Sequence, residues 1–168
     1  VADAGLDDGH LRLGDDGRGG ALDEVFDDGR GGVNGAWADV LGVNTMAPLA
    51  VTECFADHVA ASDLKIVVAI TSRMGSIASN DSGGSCIYRS SKAALNAVMK
   101  GLSHDLKSMG ITIAVLHPGW VRTDMGGDDA EISPEESANC IFNTAHRLTM
   151  NNSSQFFGRD GNQDDYNW

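Results

Sequence analysis

Tyr88 and Lys92 are two side chains whose types and spacing can move a proton. Four residues apart on a helix, they lie one turn over the other on the same face, so the ammonium can reach towards the phenol hydroxyl. A free tyrosine titrates near ~10 and is a poor proton donor or acceptor at neutral pH. A neighbouring ammonium favours the phenolate and brings the group towards the range useful for general acid–base work. Ser72 ends an apolar, β-branched run and is placed to polarise the same substrate oxygen. A Y-x-x-x-K spacing alone is weak, since such a pair more often means a half-buried ring beside a solvated charge.

The elements that must position these groups can be read from the surrounding pattern. Residues 64–72 are continuously apolar up to Thr71-Ser72, as in a central parallel strand, and ligands of open α/β sheets bind at the carboxyl ends of such strands. A Gly/Ser-rich loop leads to a helix over 88–109, with Leu95, Val98, Leu102 and Leu106 at helical spacing and Ser91, Ala94, Ala97 and Gly101 as small residues alongside. Gly110 closes it as a C-cap. Residues 111–116 form a second buried strand, ended by His117-Pro118-Gly119, and Gln155, Phe156 and Phe157 a short last one. Upstream, residues 37–59 place Val40, Val43, Leu49, Val51, Thr52 and Phe55 on one broad helical side. Pro48 lies inside that helix, and lacking an N–H it leaves the Asn44 carbonyl without its α-helical partner. Ser133-Pro134-Glu135-Glu136 caps a further helix whose apolar stripe is Ala138, Ile141, Phe142, Ala145 and Leu148.

The words TSRMGSI, SGG, YRSSKAALN, LHPGWVRTDMGG and a closing DG before Trp168 occur in this order. Through them, over residues 36–168, the chain resembles the short-chain dehydrogenase/reductase family, and in detail its C-factor-like or sniffer-like carbonyl reductase branch. The resemblance implies an α/β fold, a Rossmann-like doubly wound parallel sheet, here N-terminally truncated. It implies hydride transfer between NADP or NAD and a small-molecule carbonyl or alcohol. Tyr88 would protonate the carbonyl oxygen, Ser72 would hydrogen-bond it, Lys92 would depress the Tyr88 pKa and bind the nicotinamide ribose, and Asn44 would hold a relay water. Tyr88 and Lys92 thus count among the cofactor-binding residues with Pro118, Gly119, Val121 and Thr123, which would meet the carboxamide. A homodimer or higher oligomer through the small-residue helix faces is also implied. Two other readings stay open: a non-catalytic dimerising fragment, and a truncated or defective product of a short-chain dehydrogenase gene.

Residues 1–35 differ from the rest. Gly and Asp dominate, DDGR occurs twice, and apolar residues are too sparse for a sustained period, so loop, short turns or disorder are expected ahead of a catalytic part over 36–168. Residues 1–5, VADAG, weakly resemble the family's N-N-A-G word, with Asp3 at the second Asn. The family's T-G-x-x-x-G-x-G turn, which admits a pyrophosphate to a helix N-terminus, occurs nowhere in the chain, and Gly17, Gly19 and Gly20 sit among aspartates. The closing words match the family's end, so the C-terminus reads as complete.

A net charge of −12 over 168 residues argues against nucleic acid or an anionic membrane surface as partner. No apolar stretch approaches a membrane span and the N-terminus is acidic, so a soluble, cytoplasmic protein is expected. Cys54, Cys86 and Cys140 form no C-x-x-C pair and the five histidines no ligand spacing, so neither a disulfide framework nor a metal site is indicated.

Overall fold

The computed structural model describes Leu6–Asp7, His10–Leu11 and residues 33–163. Contacts divide the chain into two units, Val1–Ala36 and Trp37–Trp168. In the first, strands β1 (Leu6–Asp7) and β2 (His10–Leu11) pair antiparallel. The expectations for VADAG and for Gly17, Gly19 and Gly20 lie outside the described residues, as does Trp168.

The second unit is built on three parallel strands, β3 (Ile66–Ile70), β4 (Thr112–His117) and β5 (Gln155–Gly158), in the order β3-β4-β5. The register sets Ile66 beside Thr112 and Ala114 beside Gln155, so all three strands run towards one carboxyl edge. β4 is buried almost throughout because it has a strand on either side and helices on both faces. Its side chains alternate between two cores. Ile113 and Val115, with Ile111 and Phe156, meet Leu95, Met99, Leu102 and Ala56. Ala114 and Leu116 turn the other way, to Phe157 and Leu148, with Ile141 packed against them. Complete burial of each such aliphatic side chain contributes about 1.5–3 kcal/mol.

Helix α1 spans Val33–Leu41, and the two faces are covered by α2 (Ala47–Ala61) and α3 (Cys86–Asp105) on one side and α4 (Pro134–Ala145) on the other. This is the doubly wound, Rossmann-like arrangement that the sequence predicts. The long helix is shorter than expected at its far end, giving way to a 3-10 turn at Lys107–Met109 before Gly110 takes φ +75° and stops it. The first strand is also narrower than expected. Lys65 has φ +53° and Leu64 is exposed, which leaves Ser72 two residues beyond the strand rather than on it. The capping expectation holds: Ser133 Oγ accepts the Glu136 N–H at 3.1 Å, with Pro134 as the first helical residue.

Two expected apolar faces are core faces only in part: Leu49 and Thr52 of the first, and Ile141 and Leu148 of the second, pack inward. Val43, Val51 and Phe55 of the first are 71 %, 58 % and 56 % exposed, whereas Thr45 and Ala56, outside it, are buried. A π turn, Gly42–Met46, joins α1 to α2, and its wider winding rotates α2 away from simple α spacing. It also moves the effect of Pro48. In the π register the Ala47 N–H reaches the Gly42 carbonyl, so the residue whose partner position falls on the proline is Val43, five before it. On α4, Phe142 is 62 % exposed and lies against the His146 ring at 4.1 Å between centroids, while Ser137 and Thr144 face inward. Ser137 Oγ donates to the Pro118 carbonyl and Thr144 Oγ1 to that of Arg159, so backbone acceptors at the strand ends share in setting this face alongside Ile141 and Leu148.

Candidate active site

The carboxyl edge of the sheet opens into a cavity of about 770 Å³. Ser72, Tyr88, Pro118, Gly119, Val121 and Thr123, all singled out from the sequence, line it. Each is brought there by its element. Ser72 comes after β3 and caps the 3-10 turn Arg73–Gly75, accepting the Met74 N–H at 3.1 Å. An accepting hydroxyl keeps its own proton to donate. Tyr88 is half-buried in the first turn of α3. The segment 118–123 leaves β4 through Gly119, at φ +89°, where a Cβ would stand 2.8 Å from Ile132 Cδ1 and 3.0 Å from Arg159 Nη1. Only glycine fits that turn without displacement. Thr123 Oγ1 accepts the Gly126 N–H at 3.2 Å.

Asn44 and Lys92 border a second cavity, of about 330 Å³, along the outward edge of β3. Lys92 Nζ donates to the Ile70 carbonyl at 3.1 Å and lies 5.8 Å from the centroid of the Tyr88 ring. The reason is the ladder. Lys65 and Thr71 direct their backbone groups to β4, so by alternation Ile70 points its carbonyl away from β4, where the ammonium meets it. Burial lowers the Lys92 pKa from its usual value. Asn44 Nδ2 donates to Ser91 Oγ at 3.0 Å, and Thr45 Oγ1 to the Ser91 carbonyl at 2.9 Å. With Trp37 Nε1 donating to Ser90 Oγ, these bonds fasten the helix carrying Asn44 to the start of α3.

Some of the residues that build the site were not picked out from the sequence. Asn96 lies on the Tyr88–Lys92 face, another four residues on, and this continued spacing is the signal that could have found it. Buried in α3, it accepts the Thr71 hydroxyl at 2.6 Å and donates to the Gly75 carbonyl at 3.3 Å. It thereby ties the Ser72 turn to the helix holding Tyr88. A Cβ on Gly75 would stand 2.8 Å from the Lys92 carbonyl carbon and 2.9 Å from Lys92 Cβ. Gly75→Ala is therefore expected to lower stability by about 1–3 kcal/mol, since backbone on both sides must give. Urea unfolding measures it, and an unchanged midpoint would show that the two elements can separate freely.

His117 ends β4 on the same cavity wall. Burial, then the charges of Arg159 and Arg73, hold its pKa down to about 4 from 6.5. The unfolded chain thus binds a proton here that the folded chain refuses. The contribution to stability is full above pH 6.5 and is lost as pH falls towards 4. We expect the unfolding free energy of wild type to fall by roughly 2 kcal/mol more than that of His117→Asn across this window, allowing for solvent reaching the ring. Parallel stability–pH curves for the two proteins would contradict it.

The family model described as short chain dehydrogenase matches residues 32–133. The chain belongs to the short-chain dehydrogenase family. Among curated proteins, C-signal of Myxococcus xanthus is 37 % identical over 143 residues, covering 79 % of this chain and 86 % of that protein. The 1-hydroxy-2-glutathionyl-2-methyl-3-butene dehydrogenase of Rhodococcus sp. (strain AD45) is 37 % identical over 123 residues, 71 % of this chain and 54 % of that one. Among solved short-chain dehydrogenase structures, carbonyl reductase Sniffer of D. melanogaster matches with a TM-score of 0.71 at 34 % identity, over 75 % of this chain and 55 % of its own. The NADPH-bound carbonyl reductase from chicken fatty liver matches with a TM-score of 0.72 at 29 % identity, over 79 % and 57 %. These relatives bear out the resemblance to the carbonyl reductase branch. Apart from C-signal, the chain spans about half the length of the relatives named here.

Proposed function

We propose that the chain forms the catalytic part, over residues 36–168, of an NAD(P)-dependent reductase acting on a small-molecule carbonyl or alcohol. The observation that carries the reading is that Ser72 and Tyr88 share one cavity with segment 118–123 at the carboxyl edge of the sheet. That edge is where open α/β sheets hold their ligands. The residues fit the nicotinamide end of the cofactor. Gly119 presents a turn without a Cβ, and Val121 and Thr123 come next as wall residues positioned to meet a carboxamide. The bound dinucleotide would supply the hydride. Ser72, with its proton free to donate, hydrogen-bonds the substrate oxygen, and Tyr88 delivers the proton to it. Lys92 supports Tyr88 from behind and binds the nicotinamide ribose. The π turn around Asn44 supplies the carbonyl that holds a relay water.

The NADPH-bound state of the chicken enzyme supports the choice of a nicotinamide cofactor. A homodimer is proposed from the exposed Ala97 and Gly101 on α3 and the exposed Val51 and Phe55 on α2. A cytoplasmic place is proposed with it, and among the described residues no helix is long and apolar enough to cross a membrane. The deciding experiment is Tyr88→Phe assayed with NADPH and a carbonyl compound. Reduction is expected to disappear, and near wild-type turnover would remove Tyr88 from its role.

A further inference from the structure

The geometry points to a carboxylate on the substrate: Arg73 and Arg159 form an anion-binding wall of the Ser72–Tyr88 cavity, which selects carbonyl compounds carrying an acid group. The inference rests on the reading of that cavity as the place of carbonyl reduction.

The three parallel strands all deliver residues to this cavity: Ser72 and Arg73 after β3, His117 and Gly119 at the end of β4, Arg159 after β5. The two guanidinium groups therefore come from the outer strands and flank the end of the middle one. Arg159 is held close by the missing side chain of Gly119, whose Cβ would stand 3.0 Å from Nη1 and 3.2 Å from Cδ of the arginine. Burial first, and then the charges of Arg159 and Arg73, lower the His117 pKa, so both guanidinium groups lie within electrostatic reach of that ring.

Neither arginine side chain has a hydrogen-bond or carboxylate partner among the described residues. The other described arginines do have partners. Arg89 donates to the Gly84 carbonyl and Ser82 Oγ, Arg122 to the Ala130 carbonyl, and Arg147 to the Asp160 carbonyl. With 24 acidic residues against 12 basic ones, carboxylates are abundant in this chain, yet these two cations face a cavity instead. Glu131 is the single acidic residue on its wall, and its side chain forms no ion pair with either arginine among the described residues. A guanidinium offers two parallel N–H groups to a carboxylate, which gives both charge and geometry. Met74, Trp120 and Met125 supply an apolar wall in the same space. The class that fits is an oxo acid with an apolar body.

The test is calorimetric titration of the full chain, without cofactor, with benzoylformate and with its neutral methyl ester. The acid is expected to bind about tenfold more tightly than the ester, as one charge-assisted contact requires. Arg159→Gln and Arg73→Gln should each weaken acid binding by about tenfold and leave ester binding unchanged. Arg159→Lys, which keeps the charge, should retain part of the preference, and circular dichroism checks that each variant is folded. Equal or undetectable binding of acid and ester to the wild-type chain would overturn the inference, as would an acid preference untouched by both Gln substitutions. Because the readout needs no turnover, it separates from the catalytic reading. Persistence of the acid preference beside a fully active Tyr88→Phe would sink only the proton-transfer role.

Discussion

Tyr88→Phe is expected to lower carbonyl reduction by about 10²–10⁴-fold, the range that a positioned proton donor contributes. The loss should appear in turnover and leave dinucleotide affinity nearly unchanged. The phenyl ring keeps the packing of the first turn of α3 and removes only the hydroxyl. Ser72 would remain to hydrogen-bond the oxygen but has no means of replacing the proton. Lys92→Ala is the counterpart. It removes both the support for Tyr88 and the proposed ribose contact, so it should weaken binding and turnover together. Steady-state assays at several millimolar NADPH distinguish the two patterns, and a Tyr88→Phe enzyme within a few-fold of wild type would exclude the tyrosine as donor.

The second large effect is on the cofactor itself. NADPH is expected to bind this chain with a dissociation constant near the millimolar range. Much of a dinucleotide's grip comes from pyrophosphate on backbone N–H groups at a glycine-rich turn and from the adenosine ribose. The chain has no T-G-x-x-x-G-x-G word, and its net charge of −12 opposes an anionic ligand. If the absent phosphate and ribose contacts are worth on the order of 4 kcal/mol, affinity falls by roughly a thousandfold, from micromolar to millimolar. Fluorescence titration with NADPH and NADH measures this directly. A low micromolar constant would mean that residues 1–35 build a phosphate site that their Gly/Asp composition conceals.

The sheet was legible because its strands are uninterrupted apolar runs, and parallel strands buried on both faces carry that signature. Ser72 and Tyr88 were legible because a strand end and a first helical turn fix where they stand. The helix faces were less so. Periodicity marks Val43, Val51 and Phe55 as one side, but a π turn inserted before Pro48 changes the winding, and nothing in the spacing alone announces it. Phe142 was misplaced for a different reason: beside Ile141 and Leu148, the inward face of α4 is set by Ser137 and Thr144 reaching strand-end carbonyls, which hydrophobicity does not register. Arg73 and Arg159 lie 86 positions apart in sequence, and only the adjacency of their strands to β4 brings them to one cavity.

The contact between Gly75 and the backbone of Lys92 bears on how the site accommodates what it binds. With no side chain between the Ser72 turn and α3, and with Asn96 bonded on both sides of that turn, the backbones that carry Ser72 and Tyr88 are held directly against each other. The turn and the helix thus form one support for the two residues. Across the cavity, segment 118–131 is tied down by the Val121–Ile132 bridge, by the Arg122 N–H on the Ile132 carbonyl and by Ser137 Oγ on the Pro118 carbonyl, while Trp120 and Met125 are 50 % and 85 % exposed. Freedom to adjust is left to those two side chains. Substrates of different bulk would be accommodated by the exposed Trp120 and Met125 side chains rather than by the turn that carries Ser72.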